Sequence, residues 1–267
     1  MSTHCKSPRP LHHVLAGLLI PTALTLTACS PQVNITGELG QDQATLAACS
    51  GRLASMVSVD VSGSGRDQSI ADQHVKAISA VVRRTSICGG HLKVVAFSGT
   101  SAMTRKIYDG ELQLAGATDI ARLRKVPALV DETMNEISKG YRVALSAPPQ
   151  GNSSDITGQY RLAGEYAAQL GSGYRLNYFL LTDGFHNTGL GVIDRVLSAA
   201  AAKALAQRVS VPALKGASVT VAGLGKVAGA PPKSDMVEGL VRFYDAICAR
   251  TQAAECRSVT DFTVGGE

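Results

Sequence analysis

Five oxygen-bearing side chains in three short segments could bind a metal ion together. Asp60, Ser62 and Ser64 occupy every second position after an apolar run, and Asp183 follows another apolar run. Ser154 lies between these segments, where a helix is expected to start. Two carboxylates and three hydroxyl groups are hard oxygen ligands, which suit Mg²⁺ or Mn²⁺. The five residues therefore form a candidate metal site, provided that the fold brings the three segments together.

Strand and helix patterns alternate along the chain from residue 53. The stretch 53–61 is a short apolar run, 66–86 has apolar residues at helical spacing, and 91–97 is again an apolar run. A strand, a helix and a strand in this order predict a βαβ unit with parallel strands. Further strands are predicted at 175–181, 217–222 and 257–264, and further helices at 120–138, 155–170, 193–209 and 234–251.

The segment 104–115 interrupts this alternation. It holds Asp109 and Gly110 between two extended runs, which is a strong hairpin signal and predicts a short antiparallel edge strand. The whole pattern predicts an α/β fold: a doubly wound, mostly parallel sheet with one antiparallel edge strand and helices on both faces. Ligands of such sheets bind at the carboxyl ends of the strands, which is where Asp60 and Asp183 are predicted to lie.

The three segments resemble the metal-ion-dependent adhesion site (MIDAS) of the von Willebrand factor type A (vWA) family, which has a Rossmann-like fold. Asp60, Ser62 and Ser64 match its Asp-x-Ser-x-Ser signature after the first strand, and Asp183, within Thr-Asp-Gly, matches its second acidic element. The family usually has a threonine where this chain has Ser154, which departs from the pattern but keeps a hydroxyl group.

The resemblance extends from about Cys49 to the C-terminus and includes the order of the elements and the antiparallel edge strand. Thr157 is the next candidate if Ser154 does not take the role of the family's threonine.

The resemblance implies a binding module and not an enzyme. In this family Ser62 and Ser64 would bind Mg²⁺ or Mn²⁺ directly, and Ser154 would join them when a ligand is bound. Asp60 and Asp183 would act through water or hydrogen bonds. One coordination position stays open for a Glu or Asp of a protein partner, so that a single carboxylate anchors the interface.

Two other functions are compatible with the same residues. A metal-assisted or serine hydrolase could use Ser62 or Ser64 with His186 and Asp183, although the GxSxG elbow is absent. Alternatively, the domain is a structural component of an envelope complex that needs no metal, and Asp60 and Ser62 only cap the following helix. His186 itself is expected to be a solvated loop residue.

The first 28 residues predict a lipoprotein signal peptide. Lys6 and Arg9 precede an apolar run, 14–26, that is too short for a comfortable membrane span. The sequence Leu-Thr-Ala before Cys29 resembles the bacterial lipobox, whose cysteine receives a lipid that anchors the new N-terminus. An ordinary signal peptide with a chance cysteine is the alternative.

We expect the mature chain to be lipid-anchored in the cell envelope, on the extracytoplasmic side of a bacterial membrane. Residues 29–47 are mostly polar and predict a flexible tether, so that the vWA domain would occupy 48–267.

Four cysteines follow Cys29, and an even number in an exported protein suggests two disulfides. Three pairings are possible; we favour Cys248–Cys256, which are close in sequence, together with Cys49–Cys88, and four unpaired thiols are the alternative. The spacings lack the CxxC pairs of a structural zinc site.

Charge and composition argue against other partners. The 267-residue chain has a formal net charge of +5 and no basic run, so nucleic acid is not an expected partner. Tryptophan is absent and aromatic residues make up 4% of the chain, which argues against a platform for stacking sugars.

Overall fold

The computed structural model describes residues 37–148, 154–186, 193 and 195–263, which belong to one compact unit, Ile35–Glu267. The described residues form a sheet of six strands with the spatial order β3-β2-β1-β4-β5-β6. In chain order the strands are β1 (Arg52–Asp60), β2 (Gly90–Phe97), β3 (Arg105–Leu112), β4 (Tyr174–Leu181), β5 (Ser218–Ala222) and β6 (Glu255–Val259). All neighbouring pairs are parallel except β2 and β3, which confirms the predicted α/β class.

Helices cover both faces of this sheet. The described helices are α1 (Glu38–Ala47), α2 (Gln68–Cys88), α3 (Asp119–Leu123), α4 (Val126–Ser146), α5 (Ile156–Leu170), α6 (Ala199–Gln207) and α7 (Ser234–Thr251). Successive residues of a strand point to opposite faces. Val57 of β1 therefore packs in the core under α2 and α4, and Met56 packs in the core under α5, α6 and α7. Because both faces are covered, β1 is buried from Leu53 to Asp60 and does not alternate between buried and exposed residues.

The predicted hairpin at Asp109 and Gly110 is wrong, although the antiparallel edge strand is confirmed. Strand β3 continues through both residues, which pair with Lys93 and Leu92 of β2. The two halves of the segment do not pair with each other because the edge of β2 offers hydrogen-bonding groups to both. The Tyr108 ring lies over Gly110, where an added Cβ would be 2.8 Å from the tyrosine hydroxyl oxygen.

The prediction of a flexible tether over 29–47 is wrong for residues 38–47, which form α1. Asp42 is buried, and both of its carboxylate oxygens accept hydrogen bonds from Arg83 of α2, at 3.0 and 2.8 Å. Leu39 and Leu46 pack against the core beneath α2. These contacts join residues about 40 positions apart, so local polarity did not reveal them. Residues 29–36 of the predicted tether lie outside the described residues.

Three other element boundaries differ from the prediction. The helix predicted at 120–138 is two helices, α3 and the longer α4, and the helix predicted at 193–209 begins at Ala199. The last strand occupies Glu255–Val259 and not 257–264. The end of a strand or helix depends on tertiary hydrogen bonds, which hydrophobic periodicity does not encode.

Both favoured disulfides are present. Cys49–Cys88 links the segment before β1 to the end of α2, and Cys248–Cys256 links α7 to β6. Among the described residues no helix is long and apolar enough to cross a membrane. The predicted signal peptide and Cys29 lie outside that part of the chain.

Candidate functional site

The five candidate ligands lie together at the carboxyl ends of the central strands. Asp60 ends β1, and Asp183 follows β4, which is the parallel neighbour of β1. Ser64 belongs to a 3₁₀ turn directly after β1, and Ser62 precedes that turn. Ser154 reaches the same edge because its backbone forms a bridge with Gly99, just beyond β2.

Asp60 is the centre of the hydrogen bonds at this site. Its Oδ1 accepts bonds from the backbone N of Ser62 at 3.0 Å, from Ser62 Oγ at 2.6 Å and from Ser154 Oγ at 3.2 Å. Its Oδ2 accepts a bond from Thr182 Oγ1 at 2.9 Å. The hydroxyl oxygens of Ser62 and Ser154 are 2.6 Å apart. The three segments are thus joined through one buried carboxylate.

Asp183 completes the cluster from the side of β4. Its Oδ1 accepts a bond from the backbone N of Phe185 at 3.0 Å, and its carboxylate is also hydrogen-bonded to Ser64. Burial, together with the negative charge of Asp60, raises the pKa of Asp183 to about 6. Burial also raises the pKa of Asp60, against the hydrogen bonds that favour its charged form.

This set of residues fits a hard divalent cation. The carboxylates of Asp60 and Asp183 repel one another, and within the described residues neither forms a salt bridge with a lysine or arginine. In the same part of the chain no three His, Cys, Asp or Glu residues cluster in a way that could hold a metal, so a cation at this position would have to bind serine hydroxyls as well as the two carboxylates. Hydroxyl and carboxylate oxygens are ligands that Mg²⁺ and Mn²⁺ accept.

A capping role for Asp60 and Ser62 is not what the structure shows. Helix α2 is capped by Asp67, whose carboxylate accepts bonds from the backbone N of Ser69 at 2.9 Å and of Ile70 at 3.3 Å. The turn that follows Ser62 has no side-chain cap. The hydroxyl group of Ser62 therefore bonds within the cluster and not to a helix end.

The structure also separates the two candidates for the threonine position. Ser154 belongs to the cluster, whereas the hydroxyl of Thr157 is 3.4 Å from Oδ1 of Asp155, the N-cap of α5. Ser154 is therefore the candidate ligand from this segment. His186 was expected to be solvated, but it is only 1% exposed, and its carbonyl oxygen accepts a bond from the backbone N of the buried Ile193.

Two residues of the site were not identified from the sequence. Thr182 donates to Asp60, and its hydroxyl oxygen accepts a bond from the backbone N of Gly184 at 3.2 Å. The buried Tyr244 of α7 donates its hydroxyl to the carbonyl oxygen of Gly184 at 2.9 Å. Thr182 stands inside the Thr-Asp-Gly segment and could have been inferred from it, whereas no local signal points to Tyr244.

The hydrogen bond from Tyr244 predicts a stability effect. Tyr244→Phe keeps the ring but leaves the Gly184 carbonyl without this donor, so the free energy of unfolding should fall by about 1–2 kcal/mol in urea denaturation. Tyr160→Phe is the matched control, because the buried Tyr160 hydroxyl has no hydrogen-bond partner among the described residues. Equal losses in the two variants would show that the bond to Gly184 contributes nothing.

The raised pKa of Asp183 predicts a pH dependence of stability in the metal-free protein. Because its pKa rises from the usual 3.8 to about 6, the folded state binds more protons than the unfolded state between these values. The contribution of Asp183 to stability is therefore greatest below about pH 4 and falls as the pH rises to about 6. Asp183→Asn should remove this pH-dependent fall in the free energy of unfolding, which is of the order of 2–3 kcal/mol.

The measurement is urea denaturation in EDTA from pH 4 to 7, for the wild type and for Asp183→Asn. Only the difference between the two curves tests the prediction, because the titration of His74 changes stability with pH in the opposite direction. Burial lowers the pKa of His74 to about 4, so its contribution to stability falls as the pH decreases from 6.5. Parallel curves for the two proteins would contradict the prediction.

Comparisons with known proteins give only distant structural similarities. No family model matches the sequence, and no characterised protein matches it in sequence. The chain is similar to the conserved hypothetical protein BatB from Bacteroides thetaiotaomicron, with a TM-score of 0.39, 14% identity, and coverage of 78% of this chain and 89% of that one.

Two further solved structures are similar to a comparable degree. An aerotolerance-related membrane protein from Bacteroides fragilis has a TM-score of 0.40 and 16% identity, with coverage of 78% of this chain and 90% of that one. The pilus adhesin SpaC from Lactobacillus rhamnosus GG, in its open conformation, has a TM-score of 0.41 and 12% identity, with coverage of 78% and 28%. These identities and TM-scores are low, so nothing about the function of this chain follows from them.

Proposed function

We propose that the chain is a membrane-anchored lipoprotein whose vWA-type domain binds a protein partner through a divalent cation, Mg²⁺ or Mn²⁺. This proposal rests mainly on one observation: five oxygen-bearing side chains from three separate segments lie together at the carboxyl ends of the central strands. These side chains are Asp60, Ser62, Ser64, Ser154 and Asp183.

The charge of the cluster supports a cation. Burying carboxylates without a positive partner is unfavourable, and here burial and mutual repulsion already raise the pKa of Asp183. A bound divalent ion would supply the missing positive charge and would favour the ionised forms of both acids. Serine hydroxyls are neutral ligands, so the ion would keep enough positive charge to attract a carboxylate from outside the protein.

The bonding of Ser62 supports a binding role over hydrolysis. A nucleophilic serine needs a base that accepts its proton, usually a histidine. The Ser62 Oγ atom instead lies 2.6 Å from Asp60 Oδ1 and 2.6 Å from Ser154 Oγ. We therefore propose that the domain is not an enzyme and that Ser62 serves as a ligand.

The location follows from the sequence of the leader. The apolar run and the lipobox-like residues before Cys29 support export and lipid attachment at the outer face of a bacterial membrane. An adhesion or scaffold domain in that location would meet other proteins of the envelope. A partner that presents a Glu or Asp would provide the carboxylate.

The test is whether partner binding needs both the cation and the cluster. Immobilised wild-type protein, Asp183→Ala and the control Asp131→Ala, an exposed acid on α4, would be incubated with envelope proteins in Mg²⁺ or in EDTA. The proposal expects partners that are retained in Mg²⁺, released by EDTA and lost only in Asp183→Ala. Partners that bind equally under all conditions would favour a structural role without metal.

A further inference from the structure

An open groove lies next to the five candidate metal ligands, Asp60, Ser62, Ser64, Ser154 and Asp183, which are called the metal-ligand cluster below. It has a volume of about 550 Å³ and runs between the first turns of α5 and the segment that links α6 to β5. Arg161 and Thr157 line one side, and Arg208 and Val211 line the other. A groove of this size can hold a side chain or a short stretch of an extended peptide.

The walls of the groove are fixed by the fold. Arg250 of α7 donates hydrogen bonds to the carbonyl oxygens of Ala206 and Val209, which hold the segment that carries Arg208. On the opposite side, Pro212 packs close to Gly164 of α5, where an added Cβ would be 3.2 Å from the proline ring. The groove is thus a built feature of the surface and not a gap between two loose loops.

The charges of the groove favour an anion. Asp155 is the acidic residue of the lining, and donors already surround it: Gly158 N at 2.9 Å and Ser101 N at 3.1 Å. Arg161 is paired with Glu165 at 2.5 Å. The exposed Arg208 forms no ion pair with any other residue that the structure describes, so its charge is available to a ligand.

The groove and the metal-ligand cluster share a wall. Ser154 pairs with Gly99 and belongs to the cluster, while the next residue, Asp155, lines the groove and bonds to Gly99 O through its backbone N at 2.7 Å. Ser101 lines the groove from the same loop. A peptide that leaves the cluster on this side would therefore enter the groove.

We infer that the partner of this domain presents an acidic segment and not a single acid. One carboxylate would bind the metal, and a neighbouring acidic side chain would lie in the groove and pair with Arg208. Val211 and Pro212 would contact the apolar part of that side chain. This inference rests on the proposed function, because the metal fixes where the segment begins.

The test uses fluorescein-labelled hexaglutamate as the probe and fluorescence anisotropy as the readout, in Mg²⁺ and in EDTA. The variants are Arg208→Glu and the matched control Arg142→Glu, which makes the same charge change at an exposed position of α4. We expect Arg208→Glu to weaken binding in Mg²⁺ by about 5- to 10-fold and Arg142→Glu by less than about 2-fold. Mn²⁺ affinity, measured by calorimetry, should stay unchanged in Arg208→Glu.

Three outcomes distinguish the possible failures. Equal losses of hexaglutamate affinity in Arg208→Glu and Arg142→Glu would overturn the role of the groove, since only the overall charge of the protein would then matter. Equal binding of a labelled hexathymidylate, with equal sensitivity to Arg208→Glu, would overturn the acidic segment in favour of a general anion surface. Binding that EDTA leaves unchanged but Arg208→Glu weakens would contradict the metal function and keep the groove as a site for acidic peptide.

Discussion

Asp60→Asn is expected to weaken Mn²⁺ binding by about 100-fold, measured by calorimetry on the purified protein. Asp60 accepts hydrogen bonds from Ser62, Ser154 and Thr182, so that its carboxylate both contributes negative charge and orients two of the candidate ligands. Loss of groups that orient metal ligands typically costs 10- to 100-fold in affinity, and here a negative charge is lost as well. The upper end of that range is therefore expected.

The control for Asp60→Asn is Asp67→Asn. Asp67 is half-buried and caps α2 a few residues away, and asparagine caps helices about as well as aspartate. This variant removes the same charge from a nearby position but should leave Mn²⁺ affinity within about 2-fold, because charges in contact with water interact weakly with one another. If both variants lost affinity equally, a general attraction to the acidic loop would explain the binding and the cluster would not be the site.

Removal of the Cys49–Cys88 disulfide should destabilise the protein more than removal of Cys248–Cys256. The first closes a loop with a sequence separation of 39 and the second a loop with a separation of 8. From the chain entropy of the unfolded state, the expected losses in the free energy of unfolding are about 4 kcal/mol and about 2.5 kcal/mol. The first bond also holds α1 next to α2, where Asp42 and Arg83 pair.

The measurement is guanidinium denaturation of two double variants, Cys49→Ser with Cys88→Ser and Cys248→Ser with Cys256→Ser. When wild-type protein is kept in dithiothreitol, its free energy of unfolding should fall by about the sum of the two losses, since the bonds lie on opposite faces of the sheet. A larger loss from the short loop than from the long one would contradict the loop-entropy argument. No loss in either variant would show that the bonds do not contribute to stability.

The alternation of strands and helices was sufficient to predict the fold class. The apolar run before Asp60 and the helical spacing in α2 place the acid at the carboxyl end of a parallel strand. The candidate site follows from the same topology, since the carboxyl ends of β1 and β4 meet at one edge. Residue types and element order therefore predicted that Asp60 and Asp183 would lie close together.

The features that the sequence did not reveal depend on contacts between distant residues. Helix α1 is held by Arg83, and the Gly184 carbonyl is held by Tyr244, which is 60 positions further along the chain. The continuous strand through Gly110 depends on the free edge of β2, not on the turn propensity of its own residues. Local propensity depends only on the residues of one segment, whereas tertiary hydrogen bonds determined the structure in these three cases.

The central claim is that a divalent cation binds between the three segments, and anomalous diffraction from crystals soaked in Mn²⁺ tests it most directly. We expect an anomalous peak at the carboxyl ends of β1 and β4, with Ser62 and Ser64 oxygens about 2.0–2.4 Å from the ion. The peak should be weaker in crystals of Asp60→Asn that are soaked at the same, limiting Mn²⁺ concentration. A fully occupied peak elsewhere, or none here when Mn²⁺ is in large excess, would contradict the account.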